Sequence, residues 1–125
     1  MLSDMKRAAT YGCSLLLCIL VVWMSWHAYF EAKKREAMRF CESLIPMVET
    51  AKQRDGKYPA AIDPKWLEGR KIPQLIRPDE FYDSRGDMYR FHFRNPGDFM
   101  DDVWGYQCGP QQQPCIWQNY DENRR

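Results

Sequence analysis

Histidine is scarce in this chain: 125 residues carry two, His27 and His92. No serine or cysteine nucleophile stands beside either in a recognisable pattern, so an enzyme is not expected. Net charge is scarce too. Lys and Arg number 18 against 17 Asp and Glu, and beyond residue 30 there are 16 of each. A nucleic-acid binder needs a concentrated basic footprint, so no nucleic-acid partner is expected. Length excludes two ordinary domains. The most telling absence is local: residues 11–30 contain no Asp, Glu, Lys or Arg.

Twenty residues rising about 1.5 Å each cover roughly 30 Å, the thickness of a bilayer's hydrocarbon core. The aromatic residues of this run gather at its ends. Tyr11 stands at one, and Trp23, Trp26, Tyr29 and Phe30 cluster at the other. Amphipathic rings favour the membrane interface, so Trp23, Trp26 and Tyr29 read as an interface belt, with His27 among them. Lys6 and Arg7 precede the run as in a signal peptide. The apolar stretch is nevertheless long, and no small-x-small cleavage site follows it. The expectation is an uncleaved single-pass anchor with membrane lipid as one partner. A cytoplasmic stub (1–10) precedes a transmembrane helix (11–30), and one domain (31–125) follows.

Beyond the span, residues 31–54 read as the same helix continuing. Its early part uses strong helix formers. Cys41, Leu44, Ile45, Val48 and Ala51 then recur at helical spacing, giving one apolar stripe. Pro46 is expected to bend the helix near Glu42. Gly56 is expected as the left-handed stop, with Pro59 just beyond. Residues 58–87 contain Pro59, Pro64, Pro73, Pro78, Gly69 and Gly86, and read as a loop-rich connection with one turn of helix near Pro64. Trp66, Leu67, Ile72, Leu75 and Ile76 would pin that connection to the core.

The last third alternates. In residues 88–94, Tyr89, Phe91 and Phe93 face one side, and Arg90, His92 and Arg94 the other. The second face reads as solvent-exposed, with an anion-binding patch as the functional alternative. Asn95-Pro96-Gly97-Asp98 is a turn. Residues 102–108 form a second strand with Trp104 and Tyr106 on one face, and 115–120 a third with Ile116 or Trp117 inward. Short connections imply an antiparallel meander. A helix stripe and an aromatic sheet face need each other, so the fold expected is α+β: an amphipathic helix on a three- to four-stranded antiparallel sheet.

Five cysteines divide by place. Cys13 and Cys18 lie in the span, and Cys41 on the core stripe reads as buried and free. Cys108 and Cys115 bracket a loop between two strands. Antiparallel pairing brings such Cα atoms to about 5 Å, within disulfide range. A bond there implies an oxidising compartment. Counting Lys and Arg around the span instead puts the domain in the cytoplasm; the cysteine argument is given more weight. Zinc is not expected, because one Cys pair without histidine nearby is not a four-ligand set. Asp83, Asp87, Asp98, Asp101 and Asp102 lack calcium-loop spacing and read as polar turns, as does Arg85-Gly86-Asp87. No cofactor is expected.

The order of parts resembles the type IV pilins and type II secretion pseudopilins. The resemblance is carried by residues 41–49 (Cys-Glu-Ser-Leu-Ile-Pro-Met-Val-Glu), then Asp55-Gly56-Lys57-Tyr58-Pro59, then Tyr89-Arg90-Phe91-His92-Phe93. The Gly-Phe-Thr-Leu-x-Glu cleavage motif is not among the residues ahead of the span. The resemblance implies that Gly56, Tyr58 and Pro59 form a structural turn locked under the helix. It also implies a C-terminal disulfide loop, a bacterial inner-membrane location with the domain periplasmic, and an envelope protein as partner. On that basis the expected function is a membrane-anchored structural or protein-interaction module. The alternative is an anchored immunity protein that inhibits a periplasm-acting toxin.

Overall fold

The computed structural model describes residues 1–96, 102–110 and 115–120. One helix, α1 (Leu2–Asp55), spans 54 of them. It takes in the residues expected as a stub ahead of the span and runs unbroken through Pro46. Proline there lacks the N–H that would bond back one turn. The Pro46 carbonyl, by contrast, accepts from Thr50 Oγ1 at 2.7 Å.

The two halves of α1 have different surroundings. Residues 1–29 are exposed throughout. From Ala37 onward a stripe of Ala37, Phe40, Cys41, Leu44, Val48 and Ala51 is buried. The stripe therefore starts one turn earlier than periodicity from Cys41 suggests, and Ile45 sits at its half-buried edge. The apolar first half is long enough and apolar enough to cross a membrane.

A four-stranded antiparallel sheet packs on the buried stripe. Its order is β1 (Tyr82–Ser84), β2 (Tyr89–Asn95), β3 (Asp102–Cys108), β4 (Trp117–Asn119). Tyr89, Phe91 and Phe93 of β2 are all nearly inaccessible and meet Leu44 and Val48 in one cluster. Trp104, Tyr106 and Trp117 pack at its margin. Rings interlock across the layers: Phe40 with Phe81 at 6.0 Å, Phe81 with Phe91 at 5.9 Å, Phe93 with Trp117 at 5.6 Å. Trp117 Nε1 donates to Glu42 Oε1 at 3.0 Å, which clamps the last strand to the helix.

Three details depart from the sequence reading. The segment expected to be loop ends in strand β1. The last strand is shorter than residues 115–120, with Trp117 inward and Ile116 outward at 49 % exposure. Phe81, placed in no element by the pattern, is 2 % exposed and joins helix to sheet. A short 3-10 helix, Pro64–Leu67, lies where a turn of helix was expected and is capped by Asp63, whose carboxylate accepts from the Lys65 N–H. Ile76 is buried, and Trp66, Leu67, Ile72 and Leu75 lean on the core.

Gly56 closes α1 with φ +78° and donates its N–H to the Lys52 carbonyl at 2.7 Å. Space around it is open, so backbone conformation alone demands glycine. Gly56→Val is expected to cost about 1–2 kcal/mol by forcing a β-branched residue into the left-handed region. A denaturation midpoint equal to that of the parent protein would refute this account of the helix end.

Candidate functional site

Two regions bring polar side chains together. The first is the turn after α1. The Tyr58 N–H donates to the Gly86 carbonyl at 2.8 Å, while the Pro59 carbonyl accepts from Tyr82 Oη and Ser84 Oγ, both at 2.7 Å. Tyr58 Oη donates back to Glu49 on α1 at 3.1 Å, its ring meets Tyr89 at 4.6 Å, and Lys52 Nζ lies over it at 4.5 Å. Burial, then the Glu49 carboxylate, push the Tyr58 phenol up to about 12, so it stays a donor. Gly56, Tyr58 and Pro59 thus tie the helix end to β1 and to the Arg85-Gly86-Asp87 turn. This is a structural joint.

The second region lies at the opposite end of the domain, next to the exposed half of α1. A cavity of about 600 Å³ opens between the base of α1, the 74–81 segment and the outer face of β2. Phe30, Gln74, Arg77, Glu80, His92 and Arg94 contribute to its walls, with Phe81 and Phe93 behind them. Tyr29 Oη donates to Gln74 Oε1 at 3.2 Å, which fastens the 74–81 segment to the aromatic belt. In that belt the Trp26 and Phe30 rings meet at 4.7 Å, and those of Trp23 and His27 stack at 5.8 Å. Trp23, Trp26 and Tyr29 are all well exposed.

The strand face read as three solvated basic residues is in fact divided. Arg90 turns away from the cavity and grips Asp83 through Nε (3.2 Å) and Nη2 (2.7 Å), with its guanidinium over the Tyr120 ring at 5.8 Å. Tyr120 lies across Gly105 so closely that any Cβ there would overlap its ring. His92 and Arg94 are left facing the cavity. His92 is half-buried rather than solvated, and its Nδ1 is buried without a hydrogen-bond partner among the described residues. Burial, reinforced by the Arg90 charge, holds its imidazole below the ordinary range; Asp83 and Glu80 oppose this. As pH falls, the unfolded chain therefore takes up a proton at this position before the folded one does. The His92 contribution is whole above its ordinary pKa of about 6.5 and is lost as pH drops toward the folded value. Denaturation midpoints measured from pH 8 to 5 should fall less steeply in His92→Gln than in the parent; equal slopes would count against it.

Compared with known protein families, curated proteins and solved structures, the chain matches none. The site therefore rests on its own geometry.

Cys108 and Cys115 are joined, with Cα atoms 4.9 Å apart. The β3–β4 register accounts for it. Trp104 opposes Asn119, Gly105 opposes Gln118 and Tyr106 opposes Trp117, so the same count sets Cys108 opposite Cys115. Gly109 then passes so close to Met88 that a Cβ would lie 2.7 Å from Met88 Cβ, which holds the base of the loop against the β1–β2 turn. Cys41 is buried and free, its thiol pushed up by burial and by the nearby Glu42 charge. Among the described residues no three His, Cys, Asp or Glu side chains form a metal-binding group. Asp83 belongs to the Arg90 pair; Asp98 and Asp101 lie outside the described residues.

Pattern reading missed the cavity because its walls come from three separate stretches of chain. Only the basic alternation at Arg90, His92 and Arg94 hinted at it.

Proposed function

We propose that this chain is a single-pass, membrane-anchored interaction module of a bacterial envelope, whose pilin-like α+β domain stands on the periplasmic face and engages a protein partner. One observation carries the reading. The apolar, exposed segment and the buried stripe belong to one uninterrupted helix, Leu2–Asp55. Such a helix leaves no flexible tether between membrane and domain, so the domain stands at a fixed height and in a fixed orientation. That suits docking, where ordering a partner surface in advance reduces the entropic cost of association. The Cys108–Cys115 bond supports an oxidising, extracytoplasmic side.

Topology and interaction are tested in the same cells. In a Cys13→Ser, Cys18→Ser, Cys41→Ser background, an impermeant maleimide should label the remaining pair only after outer-membrane permeabilisation and reduction. Labelling without reductant, and only after the inner membrane is broken, would place the domain in the cytoplasm and end this reading. A photoreactive residue at Ile116, a large apolar side chain exposed on the domain, should yield one protein adduct of defined mass. The same probe at Gln53, on the polar side of α1, should not. Absence of an adduct from Ile116 counts against a docking role.

A further inference from the structure

We propose that the cavity at the membrane end of the domain binds the anionic phosphate headgroup of a phospholipid drawn from the leaflet on which the domain stands. The inference rests on the anchoring of residues 11–30 and deepens that reading by naming a ligand.

Depth is the first argument. If the helix crosses at residues 11–30, Phe30 marks the hydrocarbon boundary, and a cavity walled by Phe30 opens among headgroups. The hydrogen bond from Tyr29 to Gln74 fixes the 74–81 segment at that level. Composition is the second. Arg77 and Arg94 approach from two different elements, the loop and β2. Planar guanidinium forks match phosphate oxygens bidentately. Among the described residues the walls hold one carboxylate, Glu80, which pairs with Arg77 at 3.6 Å between side chains that are 76 % and 63 % exposed. A pair that open is weak, so Arg77 can turn to a stronger anion. His92 is the third. Its half-buried ring adds polar wall beside Arg94 of the same strand. Size is the fourth: about 600 Å³ accommodates a glycerophosphate group, and the half-buried Phe30 gives apolar surface in its wall for the start of the acyl chains.

The test uses the full-length protein in neutral detergent with equal amounts of phosphatidylglycerol and phosphatidylcholine, read by native mass spectrometry. One phosphatidylglycerol should be retained in clear preference to phosphatidylcholine. Arg77→Gln with Arg94→Gln should lower its occupancy by roughly tenfold, which corresponds to about 1.4 kcal/mol of lost charge-assisted contact. Arg54→Gln, at the far end of α1, should leave it unchanged. If the double variant loses its fold, Arg77→Gln alone decides, since that side chain is exposed; a severalfold loss is expected. Equal retention of both lipids, or an unaltered preference in the variants, overturns the proposal. Complete displacement by millimolar inorganic phosphate also overturns it, by showing a phosphate site that is indifferent to lipid. Co-sedimentation of each protein with membranes is measured in parallel. A chain that sediments with membranes but shows no headgroup preference loses this inference and keeps its anchor, whereas one that fails to sediment loses both.

Discussion

Phe91→Ala is expected to remove about 3–5 kcal/mol from the stability of the domain, the range for truncating a fully buried phenylalanine. Phe91 has no accessible surface. Its ring meets Phe81 at 5.9 Å, Tyr82 at 5.4 Å and Tyr89 at 5.7 Å, so truncation opens a void at the centre of the cluster. The surrounding rings are anchored in β1, in β2 and in the segment just before β1, which limits how far they can collapse into the space. A domain of this size has a total stability on the order of 5–10 kcal/mol, so the loss is a large share of it. In the full chain the transition should be followed by near-ultraviolet circular dichroism, which reports the packed aromatic cluster rather than the helical content of the exposed first half of α1. For a domain this small the melting temperature should drop by more than about 12 °C. Phe91→Leu, which refills most of the void, should recover most of the loss. A drop of only a few degrees for alanine would mean that Phe91 is not the keystone described.

The same cluster shows which features the sequence could reveal. Strand β2 was legible because Tyr89, Phe91 and Phe93 alternate with Arg90, His92 and Arg94, and period two admits only one buried face. The apolar first half of α1 was legible because a charge-free run of that length is long enough and apolar enough to cross a bilayer. Strand β1 was not. Tyr82-Asp83-Ser84 is short and lacks strong alternation, and it becomes a strand because β2 offers an open edge on which Tyr82 pairs with Phe91. Propensity cannot anticipate a pairing that tertiary contact creates. Ala37 and Phe40 were hidden by Lys33, Lys34, Arg35, Glu36 and Arg39, whose charges mask the first turns of the stripe. The structure places these charges around its edge: Lys34 bridges to Glu31 at 2.9 Å and lies over Trp104 at 4.4 Å. The cavity was the least legible feature, since no local pattern links Phe30 to Arg77 or His92. Once Tyr29 binds Gln74, two stretches 45 residues apart meet, and the site exists only in their meeting.

Reducing the Cys108–Cys115 bond is expected to cost the domain roughly 2–3 kcal/mol. The bond closes a ring over a sequence separation of seven, and a ring this small limits how much entropy the cross-link removes from the unfolded chain. The native register is set independently. Trp104, Gly105 and Tyr106 already face Asn119, Gln118 and Trp117, and Trp117 is fastened to Glu42. The reduced domain should therefore keep its fold while losing stability, and should behave as the Cys108→Ser, Cys115→Ser variant does. Denaturant midpoints with and without reductant separate the possibilities. The parent should shift to a lower midpoint on reduction, while the double serine variant should begin at that lower value and show no response. Cys41→Ser should leave the size of the parent's response intact, since Cys41 is a free thiol within the core. A parent midpoint indifferent to reductant would show that the bond does not constrain the chain, and the oxidising-compartment argument for the domain's side of the membrane would lose its support. A shift of the expected size would instead tie stability to compartment: a domain that gives up about 2–3 of its roughly 5–10 kcal/mol in a reducing medium is best suited to the side of the membrane where the bond persists.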